Sequence, residues 1–113
     1  MTADFEAKLR VFLNEVNDKN AEYNKTYFPR VAGGYEVRPY GGTKYLKLAT
    51  DNGNRVWGFV SLVDGTLKGA PVKVGDLLKA ATWRAPAKHS RGNILDGTAQ
   101  YGPYGPNYLI STP

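Results

Sequence analysis

The sequence predicts an α+β fold: an N-terminal helix packed on a small, mostly antiparallel, strongly twisted sheet, with a C-terminal Gly/Pro/Tyr-rich extension. Two observations predict it. Apolar residues in the first part of the chain repeat with the period of a helix. Beyond them the repeat drops to two, punctuated by Gly, Pro and Asn-Gly or Asp-Gly pairs, which is the pattern of strands and turns. At 113 residues the chain makes one domain, divided into a helical region 1–22, a sheet region 33–84, and a loop and tail 85–113.

The helix is expected over residues 2–20. Phe5, Leu9, Phe12 and Val16 fall at i, i+4, i+7 and i+11, which draws one apolar stripe. Thr2 or Asp4 is placed to cap the start, and the early acids suit the positive end of the helix dipole. The run Asn17, Asp18, Lys19, Asn20 weakens the helix, although Tyr23 would continue the stripe.

A short strand follows within residues 33–42, fenced by glycines, and Pro39 marks it as an edge. Residues 44–50 alternate, with Leu46 and Leu48 on one face and Tyr45 and Lys47 on the other. Asn52–Gly53 is a two-residue hairpin signal, because both positions tolerate positive φ. Residues 55–63 form the return strand. Its apolar residues fall on both faces, so it is central and covered on both sides, by the helix on one. Asp64–Gly65 is a second turn. For residues 69–83 a turn at Gly75–Asp76 followed by a strand is preferred; the alternative is a short helix capped by Asp76 and running to Ala81. Pro86 ends what precedes it. From Ala87 a loop is expected, with at most one helical turn in residues 89–95, and then a tail in which Tyr-Gly-Pro occurs twice.

Composition narrows the function classes. With 42% hydrophobic and 12% aromatic residues, the chain has the material for a core. It has no cysteine, which removes disulfides, thiolate metal sites and Cys nucleophiles and fits a reducing cytoplasm. No apolar run approaches the roughly 20 residues of a membrane span. The first ten residues hold acids and no apolar core, so they do not read as a secretory signal. Charge is uneven. Residues 1–22 carry five acids and three bases, net −2, and residues 23–113 carry twelve bases and five acids, net +7. A basic majority favours polyanionic partners.

Equipment for catalysis is sparse. His89 is the only histidine, and no phosphate-loop, dinucleotide or EF-hand spacing occurs. Ser90 adjoins His89, but adjacent side chains diverge and make a poor nucleophile–base pair. Acid–base chemistry on phosphodiesters would want two such groups. No metal, no cofactor and no enzymatic activity are expected.

Equipment for binding is better. Nucleic-acid surfaces combine cations for phosphates with aromatic faces for bases. The segment 79–97, KAATWRAPAKHSRGNILDG, gathers Trp83, Arg84, Lys88, His89, Arg91 and Asn93, and residues 77–95 hold no acid. On the sheet, Tyr45 and Lys47 share a face, and Tyr35, Tyr40, Arg38 and Lys44 stand nearby in sequence. Those two groups are the candidate site: Trp83, Arg84, Lys88, His89, Arg91, Asn93, Tyr45 and Lys47. A purely structural reading competes with it. Tyr favours strands, and Trp57 is read as core. Gly92 suits a positive-φ turn, with Arg91 and Asn93 bonding backbone carbonyls and Asp96 pairing with Arg91 or capping the turn.

The strings in residues 81–94 (ATWRAPAKHSRGNI), 56–65 (VWGFVSLVDG) and 101–109 (YGPYGPNYL) resemble a group of small uncharacterised proteins of tailed bacteriophages. These carry an aromatic strand, a Gly-containing turn, a Trp-Lys-Ala-Pro-Ala-Lys-His-x-Arg-Gly-Asn-Ile type motif and a Gly-Pro-Tyr-Gly ending. This chain has Arg84 where Lys is usual, and a longer insert between turn and motif. The resemblance implies a phage origin and a location in the cytoplasm of the infected host; it carries over no catalytic or binding residue. The expected function is a non-enzymatic accessory protein that binds nucleic acid with little sequence readout. The alternatives are a protein that binds and modulates a host protein, and a nucleotide-binding protein or small enzyme using residues 84–93.

Overall fold

The computed structural model of the chain describes residues 3–27, 36–50, 55–67, 69–82, 86–102 and 105–106. Helix α1 spans Ala3–Tyr27, seven residues beyond the expected end. Propensity alone undervalued the Asn-rich turn, because tertiary contacts hold it. The Asn17 side-chain amide donates to Val37 O (3.1 Å) and its carbonyl accepts the Val37 N–H (2.7 Å). Asn20 is itself buried. Asp4 and Glu6 lie in the first turn of α1 and Lys25 in the last, matching the helix dipole at both ends.

Strands β1 (Arg38–Pro39), β2 (Tyr45–Thr50) and β3 (Arg55–Ser61) are followed by β4 (Gly65–Leu67), β5 (Ala70–Val72), β6 (Asp76–Ala80) and β7 (Pro86–Asn93). Two short strands, β8 (Tyr101–Gly102) and β9 (Gly105–Pro106), complete the described elements. The main sheet has the order β1-β2-β3-β6-β7 and is antiparallel throughout; β4–β5 and β8–β9 are separate two-stranded hairpins. This is the expected helix on a mostly antiparallel sheet. β3 is central and β1, with Pro39, is an edge. At Gly75 a turn followed by a strand is what forms. The Asn52–Gly53 turn and the Thr2 cap lie outside the described residues.

One expectation is corrected. For residues 86–93 the sequence predicts a loop, with at most one helical turn in residues 89–95, and a sheet that stops at residue 84. They are instead an eight-residue strand, with a turn only after it, at residues 94–97. Pro86 opens the strand, the position where a missing N–H is tolerated. Backbone pairing makes the strand, along β6 on one side and at its C-terminal end on the other. Asp76, Leu78 and Ala80 of β6 pair with Asn93, Ser90 and Pro86, with two register shifts between them. On the outer side Gln100 N donates to Arg91 O (2.8 Å) and Thr98 N to Asn93 O (3.1 Å). Residues 98–100 thus cover the Arg91–Asn93 end of the edge, which would otherwise be free to template another chain. Gly92 permits this: its φ is +93°, and a Cβ there would collide with the Thr98 carbonyl.

The helix lies on one face of the sheet. Phe5, Leu9, Phe12 and Val16 pack with Val37, Leu46, Leu48, Trp57, Val60, Leu77 and Ile94. Full burial of such an aliphatic side chain contributes about 1.5–3 kcal/mol. A bulge between Leu48 and Ala49 puts Gly58 opposite Leu48 and Val56 opposite Ala49. The extra residue, Trp57, thereby turns to the helix side and meets Phe12 and Tyr101 edge-on, with centroids at 6.0 and 5.7 Å. Trp57 is core, as read from the sequence; its Nε1–H is buried without a partner among the described residues. The β8–β9 hairpin covers the same face beside α1. Pro106 sits against Gly58, where a Cβ would lie 2.8 Å from the Pro106 ring.

The opposite face carries a second, smaller cluster of Phe59, Leu78 and Val72, with Tyr45, Val56, Leu67 and Ala80 around it. Val72 and Leu67 come from the β4–β5 hairpin, which folds over this face, and β5 lies beside β7. Among the described residues, no helix is long and apolar enough to cross a membrane.

Candidate nucleic-acid interface

Strand register fixes which side chains share the face opposite the helix. Across the sheet, Lys47 pairs with Phe59, Phe59 with Leu78 and Leu78 with Ser90. One step along, Tyr45 pairs with Ser61, and Asp76 with Asn93. At the β1 end Val37 is buried in the helix-side core, so alternation turns Arg38 and Tyr40 to the other face. Tyr40 N donates to Lys47 O (2.8 Å), which extends the register and sets Tyr40 opposite Lys47. Arg38, Tyr40, Tyr45 and Lys47 therefore stand together on one surface, carried by the edge strand and its neighbour.

This surface is accessible. Tyr40 is 40% exposed, and the Arg38 side chain 64%. Tyr45 and Lys47 are half-buried. Tyr45 leans on the Phe59 cluster, which anchors its ring, and Lys47 is also engaged within the fold. Arg38 pairs with Glu36, Nη2 to Oε2 at 2.7 Å, which raises its already high pKa. The sequence drew attention to Tyr45 and Lys47. It placed Arg38 and Tyr40 only nearby, because the register of a two-residue strand was not readable.

The second group of candidate residues is mostly beyond reach. Trp83 and Arg84 lie outside the described residues, and so do the side chains of Lys88 and His89 in β7; Tyr35 is outside as well. Arg91 is half-exposed, and partial desolvation lowers its pKa from an ordinary value so high that it stays charged. Asn93 is committed to the fold. Its Nδ2 donates to Val74 O (2.9 Å) and to Asp76 Oδ1 (3.0 Å), and its Oδ1 accepts the Leu95 N–H (2.7 Å). Asp96 caps the turn after β7. Its Oδ1 accepts both the N–H and the hydroxyl of Thr98, and these bonds lower its pKa. Lys47 and Ser90 stand in one row with two strands between them, so the two halves of the expected site are about 14 Å apart on the sheet.

A feature not foreseen from the sequence lies on the helix side. A cleft of about 360 Å³ runs between Lys8, Val11, Phe12 and Glu15 of α1 and residues 94–101. Val11 at its rim is 65% exposed. Glu15 Oε1 there accepts the Lys19 ammonium (3.0 Å) and the Tyr101 hydroxyl (2.9 Å). The Lys19 bond, then the Tyr101 bond, lowers the Glu15 pKa; burial, then the bond to Glu15, raises that of Tyr101. The lining residues are some eighty positions apart in the chain, a separation no local pattern bridges. Among the described residues no group of three or more metal-ligating side chains gathers. No family model, curated protein or solved structure matches this chain.

Proposed function

We propose that the protein is a non-enzymatic accessory protein of a tailed bacteriophage, acting in the cytoplasm of the infected host. It binds nucleic acid with little sequence specificity, through a basic and aromatic sheet face. One observation carries the reading: register brings Arg38, Tyr40, Tyr45 and Lys47 onto the accessible part of the face opposite the helix. Two aromatic faces and two cations on a pair of strands are what base stacking and phosphate contact require. The excess of +7 over residues 23–113 supports it with a long-range attraction for polyanions. At the β2 end the described side chains are stacking and cationic groups, which fits weak sequence readout.

Fluorescence anisotropy with a labelled oligonucleotide, titrated at several salt concentrations, tests this. Log affinity should fall linearly with log salt; an affinity indifferent to salt overturns the reading. The triple variant Arg84→Ala, Lys88→Ala, Arg91→Ala measures what the β7 segment adds: weakened binding with an intact fold makes it part of the interface. A second reading, binding to a host protein, has the cleft beside α1 in its favour. It predicts a partner in pull-downs that survives nuclease treatment.

A further inference from the structure

The class of nucleic acid follows from the spacing of the two tyrosines. Tyr40 stands opposite Lys47, and Tyr45 is two residues from Lys47 on the same face. Tyr40 and Tyr45 are thus diagonal neighbours on adjacent strands, with side chains roughly 7–8 Å apart at their bases. Stacked bases rise only about 3.4 Å from one to the next. Two consecutive bases reach both rings only when they are unstacked from each other. In a duplex the base faces are hidden in the stack, and a flat sheet cannot enter between them. An unpaired strand offers those faces freely.

Neighbouring features agree. Lys47 adjoins both tyrosines, opposite Tyr40 and two residues from Tyr45, and Arg38 is two residues before Tyr40 on the same face, so positive charge lies beside the track that the connecting phosphates would take. On the far side the Val72–Leu67 hairpin covers Phe59 and Leu78. Among the described residues the open aromatic area therefore ends at β3, and its rings are those of Tyr40 and Tyr45.

We infer that the ligand is a single-stranded nucleic acid, held by stacking two adjacent unpaired bases on Tyr40 and Tyr45, in preference to duplex. This rests on the nucleic-acid reading above. The test compares the full-length protein against three labelled probes at one ionic strength: an oligothymidylate, the matching blunt duplex, and an abasic strand of the same length. Single-strand binding about tenfold or more tighter than to either of the other two is the expected result. Tyr40→Ala should cut that advantage about threefold or more, leaving the share of Tyr45, and Tyr40→Phe should keep it whole. Equal affinity for all three probes, or a preference untouched by Tyr40→Ala, overturns the inference while leaving nucleic-acid binding intact. Absence of binding to every probe overturns the broader reading, and this one with it.

Discussion

The two ends of the sheet face opposite the helix both carry polar side chains and differ in how far the fold itself engages them. At one end Tyr45 and Lys47 sit beside Arg38 and Tyr40. At the other, in the same cross-sheet rows, stand Asn93 and Ser90. Both ends are rich in groups that bind nucleic acid elsewhere. The β7 end is knitted into the protein: Asn93 uses both ends of its amide, and Ser90 Oγ bridges the N–H and carbonyl of Gly92. The β2 end has its aromatic and cationic groups on a surface that solvent reaches. Polar side chains are available to a ligand only where the backbone around them is already satisfied by regular pairing. Where a chain makes a tight turn, its own carbonyls and N–H groups claim them first.

The sharpest way to break this comparison is Gly92→Ala. The substitution adds a Cβ that meets the Thr98 backbone, at a φ that disfavours any side chain. We expect at least about 3 kcal/mol of lost stability in urea unfolding. A loss under about 1 kcal/mol would mean the β7 end is not held by this turn. Asn93→Ala comes next, at about 2 kcal/mol, because it strands Val74 O and the Leu95 N–H in a part-buried turn. If Asn93→Ala instead left stability unchanged and weakened oligonucleotide binding, Asn93 would belong to the interface after all.

These sites also mark where the sequence was legible. The helix stripe, the alternation of Leu46 and Leu48 against Tyr45 and Lys47, and the central place of β3 follow from side-chain periodicity. Each of those elements is specified by burying apolar side chains. Strand β7 is not. PAKHSRGN has no alternating apolar pattern, and the strand is specified by backbone pairing to β6 and to residues 98–100. The full length of helix α1 is hidden from the sequence for a related reason: Asn17 reads as a breaker locally, yet it is a bridge to Val37. Of the candidate site, one face of β2 was readable. Its partners Arg38 and Tyr40 depended on the pairing of a two-residue edge strand, and the cleft beside α1 on contacts between the chain's two ends.

At the β2 end the variants act on binding more than on stability. Lys47→Gln removes a charge and keeps most of the stem. The salt slope for a single strand should fall by about 0.7, the value for one phosphate contact. Affinity should drop about three- to fivefold, with stability within about 1 kcal/mol of the parent. A slope that does not change, measured by anisotropy from low to moderate salt, removes Lys47 from the interface.

The smallest expected effect has the opposite sign. Glu36 holds Arg38 at 2.7 Å, with both side chains more than half exposed. Exposed pairs of this kind contribute little net stability, so the carboxylate adds little to the fold. It does neutralise one of the cations beside Tyr40, and it repels phosphate. Glu36→Gln removes the negative charge and leaves a neutral group of the same shape. Oligonucleotide affinity should rise about two- to threefold, more at low salt than at high salt because the repulsion is screened. Stability should stay that of the parent in urea unfolding. Weaker binding by Glu36→Gln would show that the ion pair orients Arg38 toward its ligand; no change at low salt would place the phosphate track elsewhere on this face.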